Sequence, residues 1–211
     1  MEELVEHLIR LRALRSERII EAMRSIDRKD FVRPEYGALA YADRALPIGL
    51  GQTISQPYTV IFMLELLGAE EGARVLDVGA GSGWTTALLG KIVGTSGRVY
   101  GVELLLELVK FGKKNLAKYD LPQASIQRAG EEYGLSEHAP FERILVSAAA
   151  DHAPEELLDQ LAHPGIMVMP TKGSIVKIEK SRENQGSQKS YDGFKFVPLM
   201  NSRSPQGSRR K

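Results

Sequence analysis

Leu4, Val5, Leu8 and Leu11 fall three and four residues apart with Glu and Arg between them, and Ile19, Ile20 and Met23 repeat the arrangement. This is the period of a helix with one apolar face, so the chain is expected to open on two amphipathic helices broken near Arg15-Ser16. From Asp27 to Tyr58 the period disappears. Prolines stand at 34, 47 and 57, and apolar residues are scattered through the stretch. It reads as a long ordered loop layer rather than a disordered linker. Regularity returns at Thr59, where Val60, Ile61, Met63, Leu64 and Leu67 predict a helix ended by Gly68. Strands are expected at residues 74–78, 98–102, 124–128, 141–147 and 166–169, alternating with helices at 85–93, 104–118 and 154–161. Two further strand-like pieces, 175–178 and 194–199, flank the polar run SRENQGSQKSYDG, which is expected to be a hairpin turn.

Strands that alternate with helices imply a mostly parallel sheet. The expected fold is α/β: a Rossmann-like doubly wound sheet with helices on both faces, a C-terminal β-hairpin, and an N-terminal helical and loop layer over the active site. Residues 1–200 are expected to form one domain. Within it, 1–58 are the helical and substrate-loop layer, 59–172 the cofactor-binding core and 173–200 the C-terminal strands; 201–211, NSRSPQGSRRK, form a disordered tail.

Composition narrows the function more by exclusion than by direction. The chain has no cysteine, which removes thiolate nucleophiles, iron–sulfur clusters, disulfide scaffolds and Cys-ligated zinc. Its formal net charge of +1 gives no global attraction to nucleic acid or an anionic membrane. The opening MEELVEHLIRLRALR is charged throughout, unlike a secretory signal, and no apolar run reaches the roughly 20 residues of a membrane span. A cytoplasmic protein is expected. His7, His138, His152 and His163 show no metal-ligand spacing, so no metal site is expected.

The clearest chemistry lies in VLDVGAGSGW, where a buried strand runs into Gly79, Gly81 and Gly83. Glycines there let the backbone turn sharply and approach a ligand, and the following helix N-terminus offers free N–H groups. Glu103 ends the next strand about 20 residues later, where a carboxylate can accept from both hydroxyls of a ribose. The spacing is G-x-G-x-G, which departs from the dinucleotide fingerprint and disfavours a nicotinamide enzyme; the Lys-Ser/Thr pair of a P-loop is also absent. The pattern resembles that of S-adenosylmethionine-dependent methyltransferases. On that resemblance Asp77, Gly79, Gly81 and Gly83 contact the methionine part of S-adenosyl-L-methionine and Glu103 its ribose. Gly130 and Glu131, after the third strand, stand where such families place an acid near the adenine. Alternatively, Asp77 caps the turn, Glu103 and Glu131 are solvated carboxylates, and Trp84 is packing.

The loop carries a more specific likeness. DRKDFVRPEY, AYADRALPIG, GQTISQPYTV, VLDVGAGSGW, ILVSAAADHAPEELLDQL and FKFVPL together resemble the protein-L-isoaspartate O-methyltransferase family over residues 22–199. The resemblance implies that Ser55, the serine of T-I-S, is the catalytic residue and that Gln52, Thr53 and Ile54 belong to the substrate loop. It implies methyl transfer to the free α-carboxylate of L-isoaspartyl residues in damaged proteins and peptides by an enzyme expected to be a monomer. Two places depart from the family pattern: Gly130-Glu131-Glu132 replaces the usual Gly-Asp-Gly, and Thr171-Lys172-Gly173 follows Pro170 where a Val-Gly pair is more usual. Other readings of the residues stay open here. Ser55 could cap the helix that follows it, Asp43-Arg44 could be a surface ion pair, and the chain could methylate another carboxylate or a small molecule. It could also bind S-adenosylmethionine as a non-catalytic sensor or adaptor.

Overall fold

The structure, a computed structural model, describes residues 1–181 and 186–200. Two amphipathic helices, α1 (Glu2–Arg10) and α2 (Glu17–Ser25), lead into two short 3-10 turns and a small antiparallel hairpin, β1 (Leu46–Gly49) and β2 (Gln52–Ile54). The rest alternates: α3 (Pro57–Leu67), β3 (Arg74–Val78), α4 (Trp84–Val93), β4 (Arg98–Glu103), α5 (Leu106–Leu116), β5 (Ala124–Arg128), β6 (Phe141–Val146), α6 (Glu155–Asp159) and β7 (Leu161–Pro170). Two antiparallel strands, β8 (Ser174–Lys180) and β9 (Gly186–Asp192), close the order. The main sheet runs β5-β4-β3-β6-β7-β8-β9, with β5 to β7 parallel. The expected fold class is therefore observed.

Alternation along each strand divides the core. Val75, Leu145 and Val168 face a thick layer built from α1 to α5, whereas Leu76, Val78, Ile144, Val146, Met167 and Met169 face a thin one. The five-residue α6 and the segment around Ser136–His138 cover that second face. Helix α3 begins with Pro57, whose missing N–H costs nothing at a helix start, and ends on Gly68 in the left-handed conformation at φ 55°.

Two expectations about strands need correction. The stretch expected to be irregular between Asp27 and Tyr58 contains the β1–β2 hairpin, too short and too rich in glycine to show a strand period. At the other end, the second strand of the C-terminal pair is Gly186–Asp192, within the run expected to be a turn, and residues 194–199 follow it without belonging to a named strand. Strand β9 is an edge strand whose residues are mostly exposed, so its pairing with β8 rests on backbone hydrogen bonds and leaves no apolar alternation to read. The expected disordered tail at 201–211 lies outside the described residues.

Candidate active site

Beyond β3 the chain turns to β4 on one side and later returns to β6 on the other, so the crevice past the C-terminal ends of these strands is the topological switch point. A cleft of about 960 Å³ opens there. Its floor is the glycine turn. Gly79, Gly81 and Gly83 have φ of 82°, 53° and 89°, a region that glycine enters without the strain a Cβ brings, and the N–H groups of Gly79 and Ala80 are tied to Val102 O at 2.9 and 3.1 Å. Space adds a second constraint. A Cβ on Gly81 would stand 3.2 Å from Ile48 Cδ1, and one on Gly83 would stand 2.9 Å from Ile126 Cδ1 and 3.1 Å from Gly112 O.

Glu103 closes one side of the cleft. Its Oε2 accepts from Gly81 N–H and its Oε1 from Leu105 N–H, both at 2.9 Å. Burial raises its pKa above the ordinary value, opposed by these backbone donors. A carboxylate has about four acceptor positions in all, so Glu103, which also lines the cleft, can still accept from a pair of vicinal hydroxyls.

The β1–β2 hairpin roofs the glycine turn and answers for its own glycines. Gly49 has φ 99°, and a Cβ on it would stand 2.7 Å from Arg33 Nη2. Arg33 donates from Nε to Ile48 O at 2.8 Å and lies over the Phe111 ring at 4.8 Å. Beneath the end of the hairpin a second arginine is fully buried. Arg28 donates to Ala40 O at 2.6 Å and to Arg44 O and Ser55 O, each at 3.0 Å, and its guanidinium sits 5.2 Å from the centre of the Trp84 ring. Burial lowers its pKa to about 10, opposed by the charge of Asp43, so it stays cationic at neutral pH. Ser55 is thus placed by its backbone, and its hydroxyl makes no hydrogen bond to a described residue.

The capping alternative for Ser55 is not what the structure shows. The α3 N-cap is Gln56, and the carboxylate of Asp43 serves the helix start instead: Oδ1 accepts from Tyr58 N–H at 2.8 Å and Oδ2 from Gln56 Nε2 at 3.0 Å. Asp43 is therefore a distant cap rather than half of a surface ion pair with Arg44. The signal was present in the sequence as an acid thirteen residues before Gln56, a separation that no local motif describes.

The cleft has a neighbour. A groove lined by Gln56, Thr59, Phe194 and Lys195, among others, shares Thr53, Ser55, Ser147 and Val197 with it. Ser55 therefore stands where two openings meet.

Residues 1–204 match the family described as Protein-L-isoaspartate(D-aspartate) O-methyltransferase (PCMT). The chain belongs to this family. A protein-L-isoaspartate O-methyltransferase of Aeropyrum pernix is 43% identical over 202 residues, 93% of this chain and 78% of the relative. One from Methanopyrus kandleri is 41% identical over 205 residues, 94% and 90% of the two chains. Among solved structures, a Plasmodium falciparum protein described as a protein-L-isoaspartate O-methyltransferase, in complex with S-adenosyl-L-homocysteine, is 26% identical with a TM-score of 0.79 over 94% of this chain and 97% of that one. Another structure of that name, at 23% identity and covering 95% of this chain and 66% of its own, shares the fold with a TM-score of 0.83.

The structure brings most of the expected site residues of this family member together. Gln52, Thr53, Ile54, Ser55, Gly79, Gly81, Glu103 and Gly130 line the one cleft. Gly83 stands behind it, capping α4 and packing against α5. After β5 the expected Glu131 does not line the cleft, whereas Glu132 and Tyr133 do. The direction of each side chain depends on how the segment turns after Gly130. Gln160, which sequence reasoning missed, holds that turn. Its Oε1 accepts from Leu135 N–H at 2.7 Å, and its Nε2 donates to Tyr133 O and Glu156 O, both at 2.8 Å.

Asp77 also stands elsewhere than expected. It is fully buried and absent from the cleft lining, with Oδ2 accepting from Thr85 and Thr86 hydroxyls at 2.7 and 2.6 Å and Oδ1 unpartnered. Burial, with a smaller contribution from Glu103, raises its pKa to about 6 against the effect of the two hydroxyls. The native carboxyl therefore keeps a proton that the unfolded one loses near 3.8. Between these values the native state binds more protons, so the stability this group contributes is full below about pH 4 and is lost as pH rises through about 6. The whole window corresponds to an order of 3 kcal/mol. Asp77→Asn should flatten this slope and raise the melting temperature at pH 7.5 relative to the parent. Thermal unfolding of both proteins between pH 4.5 and 7.5 checks it; an unchanged slope in the variant would remove Asp77 as the cause.

Proposed function

We propose that this chain is a protein repair methyltransferase that esterifies the free α-carboxylate of L-isoaspartyl residues in damaged proteins and peptides, using S-adenosyl-L-methionine. The observation that carries the reading is the position of Ser55 at the junction of the two openings. The cleft fits the donor: Gly79 and Gly81, both with φ above 50°, supply a floor without Cβ atoms, and Glu103 holds a fixed carboxylate in its lining. Glu103 would take the ribose hydroxyls, the turn from Gly79 to Gly81 the methionine part, and Gly130 with Glu132 the adenine edge, with Asp77 supporting the turn through Thr85 and Thr86.

When bound, S-adenosyl-L-methionine supplies a methyl group on a sulfonium, which a carboxylate oxygen takes while the sulfur keeps the C–S electron pair, giving a methyl ester and S-adenosylhomocysteine. The chain's own residues need not remove a proton. An α-carboxylate with a pKa of about 3.5 is already ionised at neutral pH, and no histidine among the described residues lines either opening. Ser55 donates its hydroxyl hydrogen to one carboxylate oxygen and so fixes the direction of the other. Arg28 holds the Ser55 carbonyl and keeps that hydroxyl in place. Ile48, Ile54, Val60 and Leu105 make much of the wall apolar, which excludes water from oppositely charged reactants that neutralise one another as the methyl moves. Alignment is the main contribution required of the protein.

No helix among the described residues is long and apolar enough to cross a membrane. On this reading the enzyme acts in the cytoplasm. The test is transfer of labelled methyl from S-adenosyl-L-methionine to paired peptides that differ only in L-isoaspartate or L-aspartate at one position. Transfer to the first alone is expected. Absence of transfer to both, with cofactor bound in a direct titration, would leave a binding protein and overturn the reading.

A further inference from the structure

Charge is distributed unevenly across the two openings. Among the described residues, the charged ones lining the cleft are Glu103 and Glu132, and the one lining the groove is Lys195. Lys195 is exposed and makes no ion pair or hydrogen bond with a described residue. Its backbone is nonetheless fixed. Phe194 N–H donates to Gly173 O at 3.1 Å, Ala149 N–H to Val197 O at 2.8 Å and Leu199 N–H to Ala149 O at 2.7 Å. Phe194 stacks on Phe62 with ring centres 5.1 Å apart, and Phe196 packs against the same core. Asp43, hydrogen-bonded to the groove residue Gln56, is directed at the start of α3. The groove, about 1020 Å³ in extent, therefore presents one ammonium group on an anchored strand-like segment beside Ser55.

We propose that Lys195 is a specificity-determining residue that favours isoaspartyl peptides carrying a carboxylate side chain within a few residues of the reacting one. The inference rests on the repair reading above and adds to it which substrates are preferred. A flanking residue of an extended peptide lies about 3.3 Å further along per position, so a groove of about 1020 Å³ that includes Ser55 in its lining has room for neighbours of the isoaspartate as well as the isoaspartate itself. A glutamate there meets a cation that no described residue neutralises. A lysine meets a like charge, which costs binding.

The experiment compares kcat/KM for peptides of one sequence with Glu, Gln or Lys two positions before or after a single isoaspartate. The expected order is Glu, then Gln, then Lys on at least one side, with steps of about two- to fivefold, the size of a partly solvated ion pair. The steps should shrink between about 0.05 and 0.5 M salt. In Lys195→Gln the Glu-to-Gln ratio should fall to about one, and in Lys195→Glu the order should reverse. Equal rates for the three peptides would overturn the proposal while leaving the repair reading intact, as would a preference that survives both substitutions. No methylation of any isoaspartyl peptide would instead remove the repair reading, and this inference with it.

Discussion

Ser55→Ala should lower kcat/KM for an isoaspartyl peptide about 10²-fold, the scale of losing one positioning contact at a reacting centre, while the dissociation constant of S-adenosylhomocysteine changes by less than about twofold. The separation follows from how the residue is held. Arg28 fixes Ser55 through its carbonyl, and the hydroxyl makes no bond to a described residue. Alanine therefore keeps the hairpin and the roof over the glycine turn and removes only the donor. Steady-state kinetics with the paired peptides, together with calorimetric titration of S-adenosylhomocysteine, measures both quantities. Comparable losses in the two would show that Ser55 acts on the fold or on the donor side, and its place at the junction would then lack the proposed meaning.

Glu103→Ala should do the opposite, weakening S-adenosylhomocysteine binding by about 3 kcal/mol, roughly 10²-fold, with little change in KM for the peptide at saturating cofactor. Two effects add. On the proposed function the ribose hydroxyls lose a charged acceptor, and Gly81 N–H and Leu105 N–H lose theirs, so the floor of the cleft relaxes as well. Glu103→Gln separates them. The amide keeps the side-chain length and one carbonyl acceptor, so it should recover part of the affinity. Full affinity in the alanine variant would take Glu103 out of the cofactor site.

Much of the fold was legible because it depends on local periods. The alternation of short apolar strand runs with helices gives the succession of the central strands along the chain, and the parallel sheet follows from the connections being helical. Strand β9 was not legible. Its residues face water, and only its backbone pairing with β8 makes it a strand. The hairpin at Leu46–Ile54 was hidden for a related reason: seven residues of strand around a tip in which Gly49, Leu50 and Gly51 all have positive φ carry no measurable period.

The site divides in the same way. The glycine turn and Glu103 follow from spacing along a single β-α-β unit, and Ser55 from a resemblance carried by the loop's own residues. Sequence therefore determined the groups on offer: a turn open to a ligand, a carboxylate at the end of the next strand and a serine in the loop above them. Tertiary structure decided the rest, because each remaining point depends on residues distant in the chain. Glu132 rather than Glu131 reaches the cleft in a segment held by Gln160, which arrives from 25 residues beyond Leu135. Asp77 is withdrawn behind the turn by hydroxyls on the next helix, eight and nine residues on. Arg28 orders Ser55 from 27 residues before it. The amino-acid pattern specifies which groups can do the chemistry; side-chain directions and the partners that fix them exist only once the layers have packed.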